Sequence, residues 1–294
     1  MNELNSPPSR VEFMRTLGDK PTNSSEWTTW LNNIYRYVKD MSSDPYFDIL
    51  IGNKNGYEVI KKFGRNAAVG TSFVPIAIGG IYQRKQPASA TTLRIKAGGD
   101  ANDTAAGTGA RSIFLEGLDE TGTLVQEELA TAGASASSAT TATFIRLFRA
   151  WVEDCGSYGG GSHVASITIE DSAGAADWAT IDATDTPEGQ SEIGIYTVPK
   201  GYKAYVTNIY PTLEASKTVD LRFFKREGAL TASAPYSARR SQISWSGLET
   251  TPGQISPKTG YGPFPEYTDF GFIAKIATGT AHVAVNYEII LVAI

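Results

Sequence analysis

Two periodicities divide the chain. Over residues 23–41, NSSEWTTWLNNIYRYVKDM, apolar side chains recur every three or four residues: Trp27, Trp30, Leu31, Ile34, Tyr35, Val38 and Met41. That spacing lays one apolar stripe along an amphipathic helix. Asn23 is placed to cap its start, with Glu26 as the capping-box partner, and Asp44-Pro45 to stop it. From residue 91 onward the helical period gives way to alternation. TTLRIKA (91–97), ARSIFLEGLDE (110–120), TLVQEELAT (123–131), TFIRLFRAWVE (143–153), ASITIED (165–171), WATIDA (178–183) and EIGIYTVP (192–199) read as strands. So do YKAYVTNIYPTLE (202–214), TVDLRFFKRE (218–227), DFGFIAKIA (269–277) and AHVAVNYEIILVAI (281–294). They are β-branched, aromatic or alternating.

Turn formers separate these strands at 119–122, 156–161, 199–201 and 277–280. Short strands with regular turns and no intervening helix predict antiparallel packing. The expected fold is mainly β: two antiparallel β-sandwich or jelly-roll modules, preceded by an N-terminal arm and one amphipathic α-helix. Residues 1–62 are the arm and helix, with Pro7, Pro8 and Pro21 in the polar arm. Residues 46–99 read as a glycine-punctuated transition with one further short strand candidate, SFVPIAI (72–78). A module boundary is expected near 192, giving modules over 63–192 and 193–294.

Charge sharpens that boundary. Residues 100–195 hold sixteen Asp or Glu against three Lys or Arg, whereas residues 196–294 hold seven against ten. Two modules of opposite sign suit head-to-tail assembly of copies, or simply give one module an acidic solvated face. Neither carries the basic stripe that nucleic-acid binding requires. Only 19% of residues are charged, and Gly, Ala, Ser and Thr fill the difference, as on surfaces built to touch other protein. Cys155 is the single cysteine, which excludes an internal disulfide and a cysteine zinc cluster. The start MNELNSPPSR has no apolar signal core, and no apolar run is long enough to span a bilayer. The chain is expected to be made in a reducing cytosol, with no membrane partner.

The candidate chemistry is sparse. The loop DANDTAAGTGAR (100–111) offers hard oxygen donors in Asp100, Asn102 and Asp103, weak candidates for calcium because the spacing is not that of a calcium-binding loop. Its glycines do not cradle phosphate, since a strand rather than a helix follows and no lysine succeeds them. The histidines, His163 and His282, lie in no nucleophile pattern. The carboxylates Glu116, Asp119, Glu120, Glu127, Glu128, Asp182 and Asp185 fall at turns and exposed strand faces. No catalytic residue and no cofactor is expected. Trp151, Trp178, Trp245 and YGPFPEY (261–267) supply aromatic faces that stack on sugars if they are exposed together, and on their own core if not.

Several stretches together resemble a family of virion structural proteins from tailed bacteriophages, of the marine and cyanophage type. They are FGRNAAVGTS (63–72), GGIYQ (79–83), NDTAAGTGARSIFLEGLDETG (102–122), TFIRLFRAWV (143–152), IYTVPKGYKAYVTN (195–208) and FPEYTDFGFIAKI (264–276). The resemblance implies a non-enzymatic virion component, made in the host cytoplasm, with capsid, neck or tail proteins and further copies of itself as partners. It does not fix a place on the particle. Capsid decoration, or a head–neck–tail accessory, heads the expectations; a baseplate or fibre-associated protein binding a host-surface glycan is the alternative. Virion proteins dock by symmetry. The surfaces expected to dock are the stripe of Trp27, Trp30, Leu31, Ile34 and Tyr35, and the loop residues Asn102, Asp103 and Thr108.

Overall fold

The computed structural model describes residues 24–42, 45–158, 161–183, 189–249 and 260–294. The polar arm, the Asn23 cap and Asp44 lie outside the described residues. The chain divides into two compact units, 1–58 and 59–294. In the first, α1 (Ser24–Ser42) carries the apolar stripe, as its spacing predicts. A second helix, α2 (Pro45–Leu50), follows where the sequence predicts only a stop. Proline has no N–H to lose at the first position of a helix, so the residue that ends α1 also opens α2. Gly52, at φ +74°, closes α2 by donating its N–H to Ile49 O at 3.1 Å.

The second unit is mainly β, built of antiparallel sheets. Strands are numbered in chain order. One sheet runs β1 (Tyr57–Val69), β15 (Ala281–Ala293), β10 (Tyr202–Leu213), β13 (Tyr261–Phe264). The sheet facing it runs β12 (Arg240–Leu248), β11 (Val219–Arg226), β14 (Asp269–Ile276), β2 (Val74–Pro75), and β9 (Ile195–Thr197) shares the β14 edge with β2. Two three-stranded sheets complete the body: β3 (Leu93–Ile95), β7 (Ile167–Asp171), β8 (Asp177–Ile181); and β5 (Leu124–Ala130), β4 (Ser112–Leu118), β6 (Arg146–Val152).

Sheet membership cuts the body differently from a division at 192. Residues 57–75 join the sheets of the C-terminal half, so the segment carrying β3 to β8 is an insertion between β2 and β9. The two halves also share a wall. Phe270, Phe272, Ala274 and Ile276 of β14 face the core of the larger sandwich, together with Val283, Val285, Tyr287 and Ile289 of β15. Ile273 of β14 and Phe224 of β11 face the other way, onto the core formed by Leu93, Ile113, Leu115, Leu147 and Ile169. A strand buried on both faces reads as a continuous apolar run, and the FGFIA stretch of β14, residues 270–274, does. Phe223 gathers the ring cluster at its centre, 5.0 Å from Phe272 and 5.9 Å from Phe264.

Charge also crosses this wall. Arg146 of β6 forms a bidentate pair with Asp269 of β14, Nε to Oδ1 at 2.9 Å and Nη2 to Oδ2 at 3.1 Å. The Thr197 hydroxyl donates to Asp269 Oδ1 at 2.6 Å. Arg146 Nη1 donates to the carbonyls of Lys85 (2.6 Å) and Ile145 (2.8 Å). Both partners are essentially inaccessible, at 2% and 0% exposure, and a fully hydrogen-bonded geometry is what lets a buried pair persist.

β1 escapes a reading by pattern because its inward positions are Lys62, Gly64 and Asn66. A side chain on Gly64 would begin 2.3 Å from both Gly194 N and Ile76 O, so only glycine lets these backbones approach. The Lys62 ammonium donates to Phe148 O. Phe148 lies at a register shift in the β4–β6 ladder, where its carbonyl is free to accept. Burial, only partly opposed by Glu116 and reinforced by Arg149, lowers the Lys62 pKa to about 7. The unfolded chain therefore holds one more proton than the folded chain between pH 7 and pH 10.5, and stability rises with pH across that window. The expected rise is up to about 1.4 kcal/mol per pH unit. Urea titrations at pH 6, 7, 8 and 9 should show it, and Lys62→Met should flatten it. An equal slope in wild type and variant would remove Lys62 as the cause.

Candidate docking surfaces

The 100–111 loop is held together by its first acids. Asp100 Oδ1 accepts from the Asn102 backbone N–H (2.8 Å) and the Asn102 side-chain amide (2.9 Å), a self-contained turn. Asp103 points inward. Its carboxylate accepts from Ala110 N (2.9 Å), Val164 N (3.0 Å) and Ala165 N (2.9 Å), which fastens the loop to the segment leading into β7. The glycines serve this closure. A Cβ on Gly109 would sit 2.1 Å from Asp103 Oδ1, and one on Gly107 2.0 Å from Asn102 O. Gly156 lies equally tight against Gly107 O. The glycine spacing of the loop thus reports backbone packed on backbone.

These contacts assign the site residues separately. Asn102 and Thr108 are exposed on the loop surface, whereas Asp103 is 3% exposed and can offer a neighbour nothing but the backbone it holds. Both carboxylate oxygens of Asp103 face backbone N–H donors. Among the described residues no three His, Cys, Asp or Glu side chains gather as a metal-ligand set.

Three of the described stripe residues on α1 are exposed and two are half-buried. Tyr35 is 70% exposed, Leu31 54% and Trp27 46%, and Trp30 and Ile34 are half-buried. Trp27 and Trp30 meet edge to face at 5.4 Å. On α2 and just beyond it, Phe47, Leu50 and Ile51 are exposed as well. Scattered apolar side chains are ordinary on a surface; here several large ones are exposed along the two helices and just beyond. Neither described helix is long and apolar enough to cross a membrane.

The aromatic residues with sugar-stacking potential do not come together as one platform. Trp178 is 1% exposed and belongs to the core. Trp151 lies against Phe114 at 4.7 Å, with Arg149 over its ring at 5.2 Å. Trp245 stacks on Phe272 at 6.5 Å, and Phe264 of YGPFPEY is buried. Two of the carboxylates hold turns or loops, and Asp185 lies outside the described residues. Asp119 accepts from Thr121 N and Thr123 N, and Glu127 from Thr141 N and Ala142 N. His163 Nδ1 faces the Ser162 hydroxyl at 2.7 Å and Nε2 donates to Asp182 O at 3.2 Å, while burial lowers its pKa. Cys155 is exposed, with its thiol directed at Ser157 O.

No protein-family model matches the chain, and no curated protein matches it. Among solved structures, the Gx strain of infectious bursal disease virus is similar at 11% identity, covering 81% of this chain and 71% of that one with a TM-score of 0.22. The VP2 subviral particle of the same virus is similar at 10% identity, covering 85% and 82% with a TM-score of 0.15. TM-scores this low leave the two architectures unmatched.

Proposed function

We propose that this chain is a non-enzymatic structural protein of a phage virion, assembling in symmetric copies as a capsid decoration or a head–neck–tail accessory. The observation that carries the reading is the exposed aromatic stripe of α1, on a unit separate from the β-body. The sequence resemblance over 63–294 supports a β-body repeated by symmetry; the helix lies outside that resemblance, and its role as an anchor rests on the exposed stripe alone. Small, tightly packed loops such as 100–111 suit a body that lies flat against neighbours.

Deleting residues 1–45 tests the anchor. The expected result is a β-body that loses the helical circular dichroism of α1, keeps its strand signal and melting, and no longer joins particles. Loss of the folded body would make the helix ordinary core instead. Electron microscopy of intact particles places the protein, and copy number separates a capsid coat from a ring of six or twelve at the neck or tail. Absence from purified particles would remove the reading altogether.

A further inference from the structure

A pocket of about 240 Å³ opens beside the shared wall, lined by Arg84, Lys85, Arg146, Arg226, Gln86 and Thr231 among others. That is room for roughly eight waters. Four of its residues are cations, in a chain of net charge −5. Asp269 neutralises Arg146 at the floor. Glu227, next in sequence to Arg226, is taken by Lys225 at 2.8 Å and Arg240 at 3.0 Å. Arg84, Lys85 and Arg226 form no ion pair among the described residues. Arg226 uses only Nε, donating to Ser237 O at 3.0 Å, which leaves its two terminal nitrogens for another acceptor. Arg239 stands close enough that, after burial, the Arg84 and Arg222 guanidinia are what lower its pKa.

Like charges gathered in a concavity destabilise a fold unless an anion joins them. A carboxylate neutralises one cation; a phosphate dianion neutralises two and offers three acceptor oxygens to the planar fork of arginine. The acid-rich 100–195 segment repels a long polyanion, so a compact group fits better than a nucleic-acid strand. The geometry points to an oxyanion site that takes a phosphate group, free or as a monoester, between Arg84, Lys85 and Arg226. The site does not depend on the virion reading: it stands or falls on anion binding by the isolated chain.

The test is isothermal titration of the full chain with inorganic phosphate, and separately with a sugar phosphomonoester, at constant ionic strength in chloride. Saturable binding is expected. Arg84→Gln and Arg226→Gln should each weaken it about tenfold and the pair about a hundredfold, while Lys217→Gln outside the pocket leaves it unchanged. Tighter binding of the monoester would assign the source as a phosphorylated organic ligand; tighter binding of inorganic phosphate would assign the free ion. Arg226→Lys keeps the charge without the fork and should bind between wild type and Arg226→Gln, a comparison available even if a glutamine variant melts early. Equal binding by wild type and the double variant, or no saturation below about 10 mM, overturns the site. So does a salt-sensitive dimer that the double variant loses, since the pocket would then hold a carboxylate of a second copy.

Discussion

Truncating Asp269 to alanine is expected to lower the stability of the β-body by about 3–5 kcal/mol. The loss is large because it strands a charge. Arg146 is 2% exposed, and without Asp269 its guanidinium keeps the carbonyls of Lys85 and Ile145 and the Tyr82 side chain but no carboxylate. The Thr197 hydroxyl loses its acceptor at the same time. Exchanging both partners for apolar residues, Arg146→Met with Asp269→Leu, should recover part of that loss, because no lone charge remains buried. Urea unfolding followed by tryptophan fluorescence reads both effects. A single-variant loss below about 1 kcal/mol would put the pair in the class of exposed surface bridges and contradict its burial.

Asp103→Ala is expected to cost about 3–5 kcal/mol as well, from the loss of three charge-assisted backbone contacts that leaves their donors unsatisfied. The effect should be local before it is global. Amide exchange should accelerate at Ala110, Val164 and Ala165, the three donors, while the β10–β15 ladder keeps its protection. Asp103→Asn retains one acceptor oxygen and should lose less. Unchanged exchange at the three amides would mean that the loop is held by its glycine contacts alone.

The helix and most strands were legible because their periods are strong. SIFLEGL and VDLRFFKR alternate or run apolar and form β4 and β11. Three strands were not legible, each for a physical reason. β1 buries Lys62, Gly64 and Asn66, so its inward face looks polar. β12 is an edge strand whose residues are mostly exposed, which leaves serine and glutamine where a pattern would need apolar residues. β13 is four residues long and contains Pro263, tolerated because it lies at the edge of its sheet. Of the site, the loop could be read as a strand connection, but not that Asp103 reaches across to Val164. The cations of the pocket come from three separate stretches of chain, near 84, 146 and 226. No window along the sequence holds them together.

The pairing of β1 with β15 sets a schedule for making this protein. More than 200 residues separate Val69 from Ala281. At ribosomal speed that is a wait of roughly 10–40 s during which β1 has no partner and an open edge. The inserted segment has no such delay, for its two three-stranded sheets complete their own pairing within residues 93–181. It can fold first and stand ready, so that β14 closes onto a finished surface and β15 seals the larger sandwich last.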